Sequence, residues 1–269
     1  MIIGNREFDV NKHTYIMGIL NITQDSFSDG GRFIKPDAAL KQAEKMISEG
    51  ADIIDVGGES TRPGFTEIEA DEEISRVVPV IELIRREFDI PVSLDTRKAG
   101  VAGAGIAAGA DLINDIWGLR EDPQMAETIA SSGKPCVLMH NRREDRYHSL
   151  MEDICLDLSK TLKLAEEAGI KDENIILDPG IGFAKNTEEN LEVLNNLELI
   201  GRLGFPVLLG ASRKSVIGNT LKLPAEERLE GTLALTALAV SKGVSFVRVH
   251  DVKENRRVID MLEAVYGRN

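Results

Sequence analysis

The stretch PVSLDTRKAGVAGAGIAAGADLIN, residues 91–114, decides the fold. It opens with a short apolar run (91–94) closed by Asp95, passes through an Ala- and Gly-rich helix, and returns to a second short run (112–114) closed by Asn114. Strand, helix and strand in so short a space form a parallel βα unit.

Outward from this unit the pattern repeats. Further apolar, β-branched runs lie at 15–20, 52–56, 135–139, 174–177, 206–209 and 245–249, each followed by a segment of helical periodicity. Ala39, Leu40, Ala43, Met46 and Ile47 make one helical stripe with Gly50 as its stop. Pro224, Glu226 and Glu227 mark another helix start, with Leu229, Leu233, Ala237 and Val240 as its packing residues. No Pro/Gly/Ser-rich linker divides the chain, so the expected fold class is α/β, a single (β/α)8 TIM-type barrel spanning residues 1–269 as one domain. IIG and FDV, around Asn5 and Arg6, predict a short N-terminal hairpin over the barrel's bottom.

Composition bounds the function. The chain has 269 residues, 42% of them hydrophobic, enough for a full core, and a formal net charge of -13 that disfavours nucleic acid and acidic membranes as partners. Cys136 and Cys155 fit neither a disulfide framework nor a zinc site and read as reduced structural thiols. No signal-peptide core and no apolar run of membrane length is seen, so a soluble cytoplasmic protein is expected.

In a βα barrel the active site lies where strands end. Here the strands end in Asn21, Asp55, Asp95, Asn114, His140 and Asp178; the seventh runs into Ser212, Arg213 and Lys214, and the eighth carries Arg248 and His250. One such residue is ordinarily a loop start or helix cap; eight strands contributing together define a mouth. Amides and carboxylates suit a flat heterocycle with amide and amidine edges, and Arg, Lys and His suit phosphate. The predicted ligand is therefore a polar heterocycle carrying phosphate.

Other signals carry less. GAGIAA (103–108) matches a dinucleotide fingerprint, but it lies inside a helix rather than at the turn leaving a first strand, so it reads as close helix packing. His13 and His148 lie outside the strand-end set and receive no role. The acidic clusters at 69–73 and 226–227 read as solvated first turns. No GxSxG elbow or catalytic-cysteine motif appears.

MGILNITQDSFSDGG (17–31), DVGGESTRPG (55–64), LGASRKSVIG (209–218) and RVHDVKE (248–254) resemble the dihydropteroate synthase family. SLDTRKA (93–99), LINDIWG (112–118), VLMHNR (137–142) and LDPGIGF (177–183) add weaker matches in the family's order. Gln24 stands where the family usually has proline, which bears on the stiffness of a loop thought to close over the substrate.

The resemblance implies a barrel that joins a pterin diphosphate to p-aminobenzoate, with Mg²⁺ as cofactor and a homodimer formed through outer helices. It assigns Asn21 to Mg²⁺ and, with Arg62, Arg248 and His250, to the diphosphate. Asp95, Asn114, Asp178 and Lys214 match the pterin-binding positions, with Ile116 and Met139 on the ring faces. Phe27, Asp29, Thr61, Pro63, Gly182, Phe183 and Ser215 match the border of the p-aminobenzoate site. Arg62, Asp95, Lys214, Arg248 and His250 are the expected catalytic set. Two alternatives stand beside this reading: a methyltetrahydrofolate-dependent methyltransferase, which should lack the diphosphate and p-aminobenzoate motifs, and an inactive pterin-binding protein, which would bind the pterin without turnover.

Overall fold

A computed structural model describes residues 1–22, 36–59 and 67–268. Two short strands, β1 (Ile2–Ile3) and β2 (Arg6–Glu7), pair antiparallel. Eight parallel strands follow: β3 (Tyr15–Asn21), β4 (Ile53–Gly57), β5 (Val92–Asp95), β6 (Leu112–Asp115), β7 (Cys136–Met139), β8 (Ile175–Asp178), β9 (Leu208–Leu209) and β10 (Phe246–Val249). Their order is β8-β7-β6-β5-β4-β3-β10-β9. A bond from Leu177 N to Pro206 O (2.9 Å), with the bridge between Leu177 and Val207, joins β8 to the start of β9 and closes the ring. Strand β9 is shorter than the run at 206–209 predicts, because Pro206 has no N–H for the ladder.

Helices α1 (Pro36–Ser48), α2 (Ala70–Glu87), α3 (Ala99–Ala108), α4 (Met125–Ser132), α5 (Leu150–Ala168), α6 (Thr187–Asn195), α7 (Leu197–Gly201), α8 (Ser215–Leu221), α9 (Leu229–Ser241) and α10 (Val252–Tyr266) form the outer layer. The predicted stripe on α1 packs inward, with Ala39, Ala43 and Met46 buried and Gly50 at φ +100° just beyond. GAGIAA lies within α3, where a Cβ on Gly105 would overlap the Leu94 side chain, so the small residue serves close packing on β5. No helix among the described residues is long and apolar enough to cross a membrane.

Helix α9 corrects an expectation. Pro224 precedes only a 3-10 turn, and the helix buries Thr232, Thr236, Ala239 and Val240, leaving Leu229, Leu233 and Ala237 half-exposed. The threonines can face inward because both hydroxyls are paired. Thr232 Oγ1 accepts from Arg213 N (3.1 Å), and Thr236 Oγ1 donates to Asn255 Oδ1 (2.6 Å).

Period-two alternation then builds the site. One inward layer, Met17, Ile53, Leu112, Val137, Ile176, Leu208 and Phe246, forms a separate apolar cluster with Ile3 and Phe8. The hairpin thus plugs the barrel's bottom, Phe8 meeting Tyr15 edge-on with centroids 4.8 Å apart. The intervening residues, among them Ile54, Val56, Leu94, Leu138 and Val247, belong to the outer core between strands and helices. Two residues beyond the plug, the next inward positions are Asp55, Asn114, Asp178 and Arg248. The polar layer rests on a dry floor.

Candidate active site

Arg248 is the centre of this layer. Its Nε donates to Asp55 Oδ2 and its Nη2 to Asp95 Oδ2, both at 2.6 Å. Asp55 is fully buried and also accepts from Ser93 Oγ (2.5 Å) and Asn114 Nδ2 (3.4 Å). One guanidinium therefore serves two carboxylates. Burial pushes the Asp95 carboxyl up to about 7; Arg248 opposes this, while Asp55 and Glu73 reinforce it.

Across the mouth, Asp178 accepts from Gly180 N (2.7 Å) and Lys214 Nζ donates to Ile181 O (2.5 Å). A Cβ on Gly210 would lie 3.5 Å from Asp178 Oδ2 and 3.9 Å from both Lys214 Nζ and Arg248 Cβ, so the missing side chain lets these groups approach one another. Burial lowers the Lys214 ammonium to about 8 against the pull of Asp178, and burial raises the Asp178 carboxyl against the pull of Lys214. Lys214 Nζ also sits 4.7 Å from the centroid of the Phe183 ring. His250 Nδ1 lies 3.0 Å from Ser212 Oγ. At the end of β3, Asn21 approaches Asp95: a Cβ on Gly57 would lie 3.5 Å from Asn21 Oδ1 and 3.9 Å from Asp95 Oδ2.

Of the other expected residues, Met139 is buried and Ile116 half-buried, Gly182 is half-buried and a Cβ on it would lie 3.2 Å from Lys214 Cδ, and Ser215 is exposed at the start of α8. Arg213 turns away and pairs with Asp251 through two bonds, of 2.9 and 2.5 Å. His140 is fully enclosed, with Nδ1 3.0 Å from Lys185 Nζ. Gln24, Phe27, Asp29, Thr61, Arg62 and Pro63 lie outside the described residues.

The acidic cluster at 69–73 is only partly solvated. Glu73 is buried and pairs with Lys98 Nζ (2.7 Å), which also bonds Glu59 Oε1 (3.0 Å) and Ile68 O (2.7 Å). A buried carboxylate needs such a partner. Lys98 so ties together Glu59 and Ile68, which flank residues 60–66. Sequence reasoning also missed Lys185, Tyr147 and Asn190, whose bonds go to a loop backbone. The available signal was a lysine two residues past Phe183.

Amides, carboxylates and cations gathered at the C-terminal mouth of a parallel barrel define a class: a barrel enzyme that holds a polar substrate by charge and hydrogen bonds. Residues 17–250 match the pterin binding enzyme family. The chain belongs to that family. It is 58% identical over 269 residues, 100% of both chains, to the dihydropteroate synthase of Clostridium beijerinckii. It superposes with TM-score 0.94 at 49% identity on a Clostridium difficile dihydropteroate synthase crystallised in the presence of pteroic acid, covering 97% of this chain and 99% of that one. A Yersinia pestis dihydropteroate synthase in a sulfonamide drug complex gives 0.93 at 40% identity, covering 99% of each.

Proposed function

We propose that this chain is a dihydropteroate synthase. It condenses 6-hydroxymethyl-7,8-dihydropterin diphosphate with p-aminobenzoate, giving 7,8-dihydropteroate and diphosphate. The observation that carries the reading is the convergence of Asp95, Asn114 and Asp178 with Lys214 and Arg248 in one polar layer above an apolar floor. No observation favours the methyltransferase or binding-only alternatives, and the relatives described above are synthases.

Asp95, Asn114, Asp178 and Lys214 take the edge of the pterin, with Ile116 and Met139 against its faces. Asn21, Arg62, Arg248 and His250 take the diphosphate. Arg248 spends Nε and Nη2 on Asp55 and Asp95, which leaves Nη1 for a phosphate oxygen. Phe27, Asp29, Thr61, Pro63, Gly182, Phe183 and Ser215 border the p-aminobenzoate. The carbon–oxygen bond to diphosphate breaks with its electron pair leaving on oxygen, and the arylamine nitrogen forms the new carbon–nitrogen bond and releases its proton afterwards. The amine is uncharged at neutral pH and needs no strong base. Positive charge spreading into the pterin meets Asp95 and Asp178; negative charge on the leaving oxygen meets Arg62, Arg248 and His250.

Mg²⁺ fits this donor set. Among the described residues no group of three His, Cys, Asp or Glu side chains could hold a metal, and Asn21 offers one amide oxygen near Asp95. Magnesium commonly keeps waters and binds through few protein oxygens plus substrate phosphates. It would supply charge neutralisation on the diphosphate, with Asn21 as its protein ligand. We further assign the chain to the cytoplasm and to a homodimer; Met261 and Val265, one turn apart on α10 and each 63% exposed, support an outer-helix interface.

Lys214→Ala tests the pterin assignment. Loss of a charge-assisted bond worth about 1.5–3 kcal/mol should weaken pterin diphosphate binding roughly tenfold or more in a fluorescence titration. Unchanged affinity in the folded variant would remove Lys214 from the site.

A further inference from the structure

The loop leaving β8, residues 180–185, is held largely by side chains. Lys185 Nζ donates to Gly180 O (3.0 Å) and Phe183 O (3.1 Å), Lys214 Nζ to Ile181 O (2.5 Å), and the Tyr147 hydroxyl to Ala184 O (2.9 Å). Asn190, on α6, accepts from Gly182 N (2.7 Å) and donates to Lys185 O (3.0 Å).

These bonds reinforce a backbone that has one turn bond of its own, Phe183 N to Gly180 O (3.2 Å). Gly180, Gly182 and Ala184 all have positive φ, +72°, +83° and +47°, and for alanine that region is unfavourable. A Cβ on Gly180 would overlap the His140 carbonyl, so the loop is also pressed against the end of β7.

Lys185 is the strut inside this loop. Besides two loop carbonyls its Nζ meets His140 Nδ1 at 3.0 Å. Burial holds that imidazole neutral, down to about 3, with the Lys185 charge adding to the effect, so Nδ1 can accept; Nε2 then carries its proton 3.4 Å from Asp157 Oδ2. Lys185 makes no ion pair among the described residues, so its three acceptors are what compensate its half-buried amine. Nothing in the pterin or diphosphate chemistry above uses it.

We propose that Lys185 is a positioning residue for the arylamine: by fixing the carbonyls of Gly180 and Phe183 it sets the Phe183 ring against Lys214 and so shapes the wall on which p-aminobenzoate lies. The proposal rests on the synthase reading and deepens it. Asp178 ends β8, where the ladder pairs it with Met139, and only its carboxylate reaches the loop, accepting from Gly180 N (2.7 Å). Because the ladder keeps Asp178 in place, loss of the strut should fall on p-aminobenzoate more than on the pterin.

The test is steady-state kinetics of Lys185→Met with each substrate varied in turn. The expected result is a rise of about tenfold in KM for p-aminobenzoate with KM for the pterin diphosphate within about twofold. Tyr147→Phe, which loses only the bond to Ala184 O, should move KM for p-aminobenzoate in the same direction by about threefold, and it carries the test if the lysine variant does not fold. An unchanged KM for p-aminobenzoate, or an equal rise for both substrates, overturns the proposal. Absence of turnover in the unmodified chain would overturn the synthase reading itself, and this proposal with it.

Discussion

Arg248→Ala should lose about 100-fold or more in kcat/KM and about 3–5 kcal/mol of folding stability. Both losses have one origin. The guanidinium bonds Asp55 and Asp95 at 2.6 Å, and Asp55 has no exposure to water. Removing the cation leaves a buried carboxylate with only Ser93 and Asn114 as donors, too little to offset its desolvation. The lost group is also one of the cations assigned to the leaving diphosphate. Urea melts and initial rates on the same preparation check the pair of effects. A variant as stable as the parent would mean that the bond from Arg248 to Asp55 does not support the fold.

The pH dependence of kcat/KM for the pterin substrate should be bell-shaped, with limbs near 7 and 8. Asp95 must be ionised to accept from the amino-pyrimidine edge, and its carboxyl is pushed up to about 7 by burial. Lys214 must be protonated to donate, and burial brings it down to about 8. Activity should therefore fall about tenfold per pH unit on the acid side of the lower limb and again above the upper one. The stability consequence for Asp95 has the opposite sense to a salt-bridged surface acid. Its folded value lies above its unfolded one, so its contribution is fully present below about 4 and is lost as pH rises through about 7. Asp95→Asn should abolish the acid limb along with most of the activity; an acid limb that persists unchanged would assign it to another group.

The barrel was legible because its strands are short apolar runs, and because four of the inward positions just past the apolar floor, Asp55, Asn114, Asp178 and Arg248, are polar. Asp95, Asn114, Asp178 and Arg248 stood out at strand ends for that reason, and the structure brings them to one layer. Asp55 stood at a strand end too, but its work as the anchor of Arg248 depends on a residue far along the chain, separated by 193 positions. Glu73 looked like part of a solvated turn because its partner Lys98 is 25 residues away on another element. The packing face of α9 departs from the hydrophobic pattern for a local reason: paired threonines take the inward positions that hydrophobicity alone gives to Leu229 and Leu233. Lys185 left little trace, since its partners are backbone carbonyls and one enclosed histidine, which no side-chain pattern reports.

The most direct test of the central claim is a product assay on the purified chain with 6-hydroxymethyl-7,8-dihydropterin diphosphate, p-aminobenzoate and Mg²⁺, read by mass detection. Dihydropteroate and diphosphate are expected in equal amounts, both dependent on p-aminobenzoate. Folded protein that binds the pterin diphosphate and yields neither product would contradict it.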